Sequence, residues 1–139
     1  MFIFEFRNMA ASMKIVAFMV SLMVLISTAH SESGTASYSQ PLGGGPPPSC
    51  YGIFNQTTLF AAASPAIWGR NGACGKRYRI TCTGSSNPGT PNPCTGRSVD
   101  VQIDDFCPAC ETTFDLNQNA FAVIANLDAG RITIQYNQL

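Results

Sequence analysis

Histidine is nearly missing from this chain: its 139 residues include one, His30, together with a single tryptophan and only 12% charged residues. With it goes the commonest metal ligand and general base of neutral-pH chemistry. Lys and Arg number eight, as do Asp and Glu. No positive excess exists to neutralise a phosphate backbone, which excludes nucleic acid as a partner class. The one dense basic stretch, Lys76 to Arg79, reads as a solvated strand edge. An apolar run long enough to cross a bilayer is also absent. The longest, Ile15 to Ile26, would extend about 18 Å as a helix against roughly 30 Å of hydrocarbon.

That short run carries Arg7 and Lys14 ahead of it and Ser27, Thr28 and Ala29 behind it. A charged start, an apolar middle and a small-residue exit make a secretory signal peptide, residues 1–29, cut after Ala29, with Ser31 the competing site and Met9 or Met13 alternative starts. Residues 30–139 are then the exported part, with no membrane span left after cleavage. Their 110 residues suit one domain. Six basic groups face seven acidic ones there, and a near-neutral chain of this size is expected to travel as a monomer in the extracellular space. Asn55-Gln56-Thr57 is a glycosylation sequon at Asn55.

All six cysteines, Cys50, Cys74, Cys82, Cys94, Cys107 and Cys110, follow the leader. An even count in a small exported chain is a disulfide framework. Cys50 with Cys74 would close a long segment, and Cys82 with Cys94 would clip the loop from Gly84 to Pro93. Cys107 with Cys110 would then remain, although fifteen pairings are formally possible. Cys107-Pro-Ala-Cys110 also has redox or zinc spacing, but a zinc site needs a second ligand pair that this chain does not supply. No metal and no cofactor is expected.

Turn signals punctuate the rest. Gly43 to Gly45 followed by Pro46 to Pro48 breaks any helix or central strand, so a first strand, Gly34 to Ser39, ends before it. Ser64 then Pro65 opens a short helix through Trp68 that Gly72 closes. Tyr78, Ile80 and Cys82 alternate with Arg79 and Thr81, and Val99, Val101 and Ile103 alternate with Asp100, Gln102 and Asp104. Both have the period of a half-buried strand. Asn117 caps a helix with Ala120, Phe121, Ile124 and Ala125 on one face, and Ile132, Ile134 and Tyr136 form a terminal strand. Many short strands with two brief helices predict an all-β barrel or sandwich.

Six motifs then occur in a fixed order: Gly34-Thr-Ala-Ser-Tyr38; Cys50-Tyr-Gly52; Ala61-Ala-Ala-Ser64 before Trp68; Asn71-Gly-Ala-Cys-Gly75 before Tyr78-Arg-Ile-Thr-Cys82; Asp105-Phe-Cys-Pro108; and Thr113-Phe-Asp-Leu116 before Ala120-Phe-Ala-Val-Ile124. In that order they resemble plant natriuretic peptides and endoglucanase-45-like (EG45-like) domains. The likeness extends to the first domain of expansins, to barwin and, more distantly, to family-45 endoglucanases. The resemblance implies a disulfide-stapled, six-stranded double-psi β-barrel with an open groove. It also implies Cys50–Cys74 and Cys82–Cys94 bridges. Expansins carry one further cysteine where this chain has Arg77, so the third bridge does not transfer and Cys107–Cys110 is the default.

By the same resemblance Thr35, Tyr38, Asp105 and Asp115 line the groove, with Tyr38 the candidate sugar face and Trp68 a core residue. Asp115 matches the aspartate of the expansin His-Phe-Asp motif, the general acid of the endoglucanases, while Thr113 stands where expansins have histidine. Inverting glycoside hydrolysis needs a second carboxylate about 6.5–9.5 Å away to activate water. The endoglucanase base lies on the first strand, and this chain has no Asp or Glu between Glu32 and Asp100. Asp104 or Asp105 could substitute, but Asp115 reads as a vestigial acid and the protein as non-enzymatic. The function implied is a secreted, apoplastic, natriuretic-peptide-like protein acting in water and solute homeostasis, its active region at Cys50 to Cys74, with a plasma-membrane receptor as partner. The alternative is a module that binds or loosens cell-wall polysaccharide; a glycoside hydrolase is the third and weakest reading.

Overall fold

The computed structural model describes residues 9, 13, 14, 30–40, 47–52 and 58–139. The chain divides into two units, Met1–His30 and Ser31–Leu139. In the first, Met9, Met13 and Lys14 are helical; the other residues of 1–29 lie outside the described residues, as do Asn55 and its sequon. Among the described residues no helix is long and apolar enough to cross a membrane.

The second unit runs β1 (Glu32–Ser39), β2 (Phe60–Ala63), α1 (Pro65–Trp68), β3 (Arg77–Ser85), β4 (Ser98–Phe106), β5 (Phe114–Asn117), α2 (Gln118–Ile124), a 3-10 turn (Leu127–Ala129) and β6 (Arg131–Gln138). The six strands close a barrel in the order β1-β5-β2-β4-β3-β6. Two pairs are parallel, β1 with β5 and β2 with β4, and the remaining pairs are antiparallel. This is a double-psi barrel, and closure removes the unpaired edges an open sheet would expose.

The core is what period-two alternation delivers. Ile80, Val101, Ile103, Ile132, Ile134, Phe114 and Leu116 are buried to within 1%. Each large side chain so placed contributes about 1.5–3 kcal/mol of transfer free energy. Tyr78, Phe114 and Tyr136 form an aromatic cluster, with centroids 5.2 Å and 5.1 Å apart for the two pairs through Phe114. The Tyr136 hydroxyl donates to Glu32 Oε2 at 2.9 Å, and burial followed by that carboxylate pushes its phenol up to about 12.

Helix α2 seals the barrel with Ala120, Phe121 and Ile124. Asn117 caps it, accepting from the Ala120 amide at 3.1 Å. The same Asn117 Oδ1 accepts from the Phe60 amide at 3.4 Å, and its Nδ2 donates to the Thr58 carbonyl at 2.8 Å. One 6%-exposed side chain therefore holds α2, β5 and the start of β2 together.

Three disulfides staple this frame: Cys50–Cys74, Cys82–Cys94 and Cys107–Cys110, with Cα separations of 5.5, 5.4 and 5.4 Å. No cysteine is free.

Several local expectations need correction. Helix α1 is a single turn with Pro65 at its start, but Ser64 makes no side-chain cap, and the residue that ends it is Gly69 at φ 62°, not Gly72. Gly72, at φ 74°, lies beneath the Trp68 indole instead. Trp68 is half-buried beside Phe106, ring centroids 5.0 Å apart, rather than fully in the core. Strands β2 and β5 have no counterpart among the strands expected from periodicity. Ala61-Ala-Ala63 has poor strand propensity, and both strands are four residues long, so neither displays a legible period.

Candidate functional site

Cross-strand register builds a row of outward-facing residues over five strands. Ser37 on β1 is opposite Arg131 on β6 and Asp115 on β5. Asp115 is opposite Ala62 on β2, and Ala62 is opposite Asp105 on β4. Their strand neighbours Ala36, Phe114, Leu116, Ala61, Ala63 and Ile132 are buried, so alternation turns the row to the surface.

At its centre Ser37 Oγ donates to Asp115 Oδ1 at 2.9 Å. That hydroxyl also lies 3.0 Å from Thr112 Oγ1. Having one proton, already committed to Asp115, Ser37 accepts from Thr112. Thr112, 4% exposed, thus orients Ser37, and Ser37 orients the carboxylate. On the first strand, Ser37 gives Asp115 a hydroxyl donor and not a second carboxylate.

Asp105 is engaged differently. Its Oδ1 accepts from the Ser49 amide at 2.8 Å, the Ser49 hydroxyl at 2.6 Å and the Phe106 amide at 2.8 Å. The carboxylate ties the segment entering the Cys50–Cys74 bridge to the end of β4. Two strand spacings separate Asp105 from Asp115, about 10 Å between backbones.

Asp105 reaches this row only because β4 is irregular. Continuing the alternation of Val99, Val101 and Ile103 would point Asp104 out and Asp105 in. The β2–β4 register instead steps from Ile103 to Asp105 between Ala61 and Ala62, leaving Asp104 as the extra residue of a bulge, and the parity flips. Asp104 is 5% exposed, and its carbonyl accepts the Cys50 amide at 2.9 Å. Burial, then the neighbouring Asp105 carboxylate, raises its carboxyl to about 6. The Asp-Asp doublet after a clean alternating run was the available signal for this bulge.

Of the four groove candidates, Asp105 and Asp115 lie on the row, and Thr35 shares the outward face of β1 two residues from Ser37. Tyr38 does not. It lies on the opposite face of the strand, its ring 4.8 Å from that of Phe121 and packed against the core. Thr35 and Tyr38 are three positions apart, and on one strand an odd spacing puts two side chains on opposite faces. Ser37 and Thr112, absent from the sequence-derived set, hold Asp115 directly.

Thr113, in the place of the expansin histidine, has a structural role. Its Oγ1 accepts from the Thr35 amide at 3.1 Å and its own amide donates to the Thr35 carbonyl at 2.9 Å. A Cβ on Gly34 would run into that Oγ1, which explains the glycine opening the first motif.

Residues 60–136 match a family described as lytic transglycolase, whose domain is the double-psi barrel. An EG45-like domain containing protein of Citrus jambhiri is 46% identical over 86% of this chain and 90% of its own length. A putative EG45-like domain containing protein 1 of Arabidopsis thaliana is 39% identical over 90% of this chain and 98% of its own. The chain belongs to the EG45-like family. Among solved structures the EG45-like barrel is similar to an expansin of Clavibacter michiganensis, with a TM-score of 0.60 at 24% identity over 79% of this chain. It spans 50% of that expansin's length. A mutant of the same expansin was solved in complex with cellohexaose, at a TM-score of 0.58. A Streptomyces papain inhibitor has the same fold, with a TM-score of 0.57.

Proposed function

We propose that this EG45-like protein is exported to the apoplast and binds a neutral cell-wall polysaccharide along the Ser37–Asp115–Asp105 row without cleaving it. The observation that carries this reading is the committed state of both carboxylates: Asp115 is held by Ser37, and one oxygen of Asp105 is taken by three donors. A hydrolytic base must be free to take a proton from water, and Asp105 is built to hold a loop. What remains is a row of hydroxyl and carboxylate groups suited to sugar hydroxyls. The cellohexaose complex of the similar expansin supports the ligand class.

A second reading, an apoplastic signal in water and solute homeostasis, is favoured by Tyr51, 70% exposed just after Cys50. It would place the receptor contact on that corner of the folded domain. The Cys50–Cys74 segment contains β2, which pairs on both sides, so the folded domain and not an excised peptide is its natural form.

Retention on cellulose and xyloglucan, together with reducing-end release, tests the first reading. The oxidised protein should be retained, Asp115→Ala should reduce retention about tenfold, and no reducing ends should appear above a heat-killed control. Sugar release that Asp105→Asn abolishes would overturn it.

A further inference from the structure

A concavity of about 490 Å³, within the usual range for small-ligand sites, lies away from the row at the other half of β4 and is lined by Thr58, Leu59, Arg77, Asp100 and Gln102. Gln102 is the register partner of both Phe60 on β2 and Arg77 on β3, so three strands build its floor. Gln102 and Asp105 lie roughly 10 Å apart along the strand.

The charges in this cleft are unequal. Asp100 is neutralised by Arg79, whose Nε and second guanidinium nitrogen donate to its two oxygens at 2.7 and 2.8 Å. The Arg79 hydrogen bonds, helped by the charges of Arg79 and Arg77, hold the Asp100 carboxyl below its ordinary value. Arg77 is exposed, and its guanidinium has no hydrogen bond or ion pair among the described residues. The polar groups around it are only partly used. Gln102 Nε2 donates to the Gly75 carbonyl at 3.3 Å, leaving Oε1 to accept. Thr58 uses its carbonyl toward Asn117, leaving its hydroxyl for a ligand. Leu59 is half-buried and adds an apolar wall.

We propose that this cleft is a second binding site, for the uronate residues of an acidic oligosaccharide or polysaccharide. A guanidinium fork matches a carboxylate in two parallel hydrogen bonds. Gln102 Oε1 and Thr58 Oγ1 are placed for ring hydroxyls, and Leu59 for the C–H face of a sugar. A hexuronate presents all three features; a neutral hexose lacks the anion, and inorganic phosphate lacks the apolar face. The site shares no side chain with the Ser37–Asp115–Asp105 row, so it stands or falls independently of the neutral-glycan reading.

The test is titration of the full oxidised protein, by calorimetry, with a galacturonic acid trimer, its methyl ester and cellotriose. The acid trimer should bind and the ester and the neutral trimer should bind at least about tenfold more weakly, the difference expected when a charged hydrogen-bonded pair is lost. Arg77→Gln should weaken the acid trimer about tenfold. Arg97→Gln, which removes the same charge outside the cleft, should change it less than about twofold, the scale of a screened long-range charge. Because the Arg77 side chain supports no other group by hydrogen bond, an unchanged melting temperature is expected and confirms that the variant is folded. Equal weakening by both arginine variants would reduce the effect to diffuse charge and overturn the proposal, as would equal affinity for acid and ester or no binding of the acid trimer.

Discussion

The barrel has two halves that hold together by different means. Strands β3, β4 and β6 form an antiparallel wall of eight- and nine-residue strands, where isoleucine, valine and tyrosine alternate with polar residues and outward contacts such as Thr81 to Ser98 are exposed. Strands β1, β5 and β2 form the crossing region, which mixes a parallel and an antiparallel pair; two of them are only four residues long, and single side chains carry what length carries in the wall. Asn117 joins three elements, Thr113 docks β1 on the start of β5, and Thr112 with Ser37 fixes Asp115. Stability in the wall is spread over many interchangeable contacts; in the crossing region it is concentrated at a few sites, and the candidate glycan row is built on those sites. A row whose residues come from five strands gains its precision from tertiary pairing, and it becomes sensitive to any change that disturbs it.

This contrast predicts unequal responses to substitution. Asn117→Ala should be the most damaging of the polar changes, losing a cap and two further partly buried hydrogen bonds for about 2–3 kcal/mol, whereas Thr81→Ala on the wall should stay within about 0.5 kcal/mol; urea unfolding of the two variants breaks the comparison if their costs are equal. Gly34→Ala should cost about 1–3 kcal/mol by overpacking against Thr113. Combining it with Thr113→Ala should cost less than the sum of the two single changes, because the colliding hydroxyl is gone, and a double-mutant cycle reads this directly.

Asp104 sharpens the comparison at the bulge that joins wall to crossing region. Its carboxyl is raised in the folded protein to about 6, so the folded state binds that proton more tightly than the unfolded chain. Its contribution is fully present below the unfolded value of about 4 and is lost as pH rises through about 6. Stability should therefore fall by about 2 kcal/mol between pH 4 and pH 7 on this account. Asp104→Asn should remove that slope, measured as the pH dependence of the urea midpoint. A slope unchanged in the variant would assign the pH response to other groups.

The wall was legible in the sequence because its signal is local: Tyr78-Ile80-Cys82, Val99-Val101-Ile103 and Ile132-Ile134-Tyr136 display the period of a pleated strand, and Asn117 announces its helix. The resemblance of the ordered motifs brought the barrel and Asp115 into view. The candidate row was only partly readable. Alternation should have separated Thr35 from Tyr38, and the Asp104-Asp105 doublet hinted at a bulge, but nothing local joins Ser37 to Thr112 and Asp115 across 75 and 78 residues.

By itself the sequence determined the periods of the long strands, the even cysteine set and the poverty of histidine and net charge, since all of these are properties of near neighbours or of totals. Tertiary structure alone decided that Ala61-Ala-Ala63 is a strand, that Asp104 turns inward and Asp105 outward, and that Ser37 meets Asp115. The reason is that a four-residue strand is stabilised by the partners on both its sides, and the register between strands distant in sequence is set only when the barrel closes.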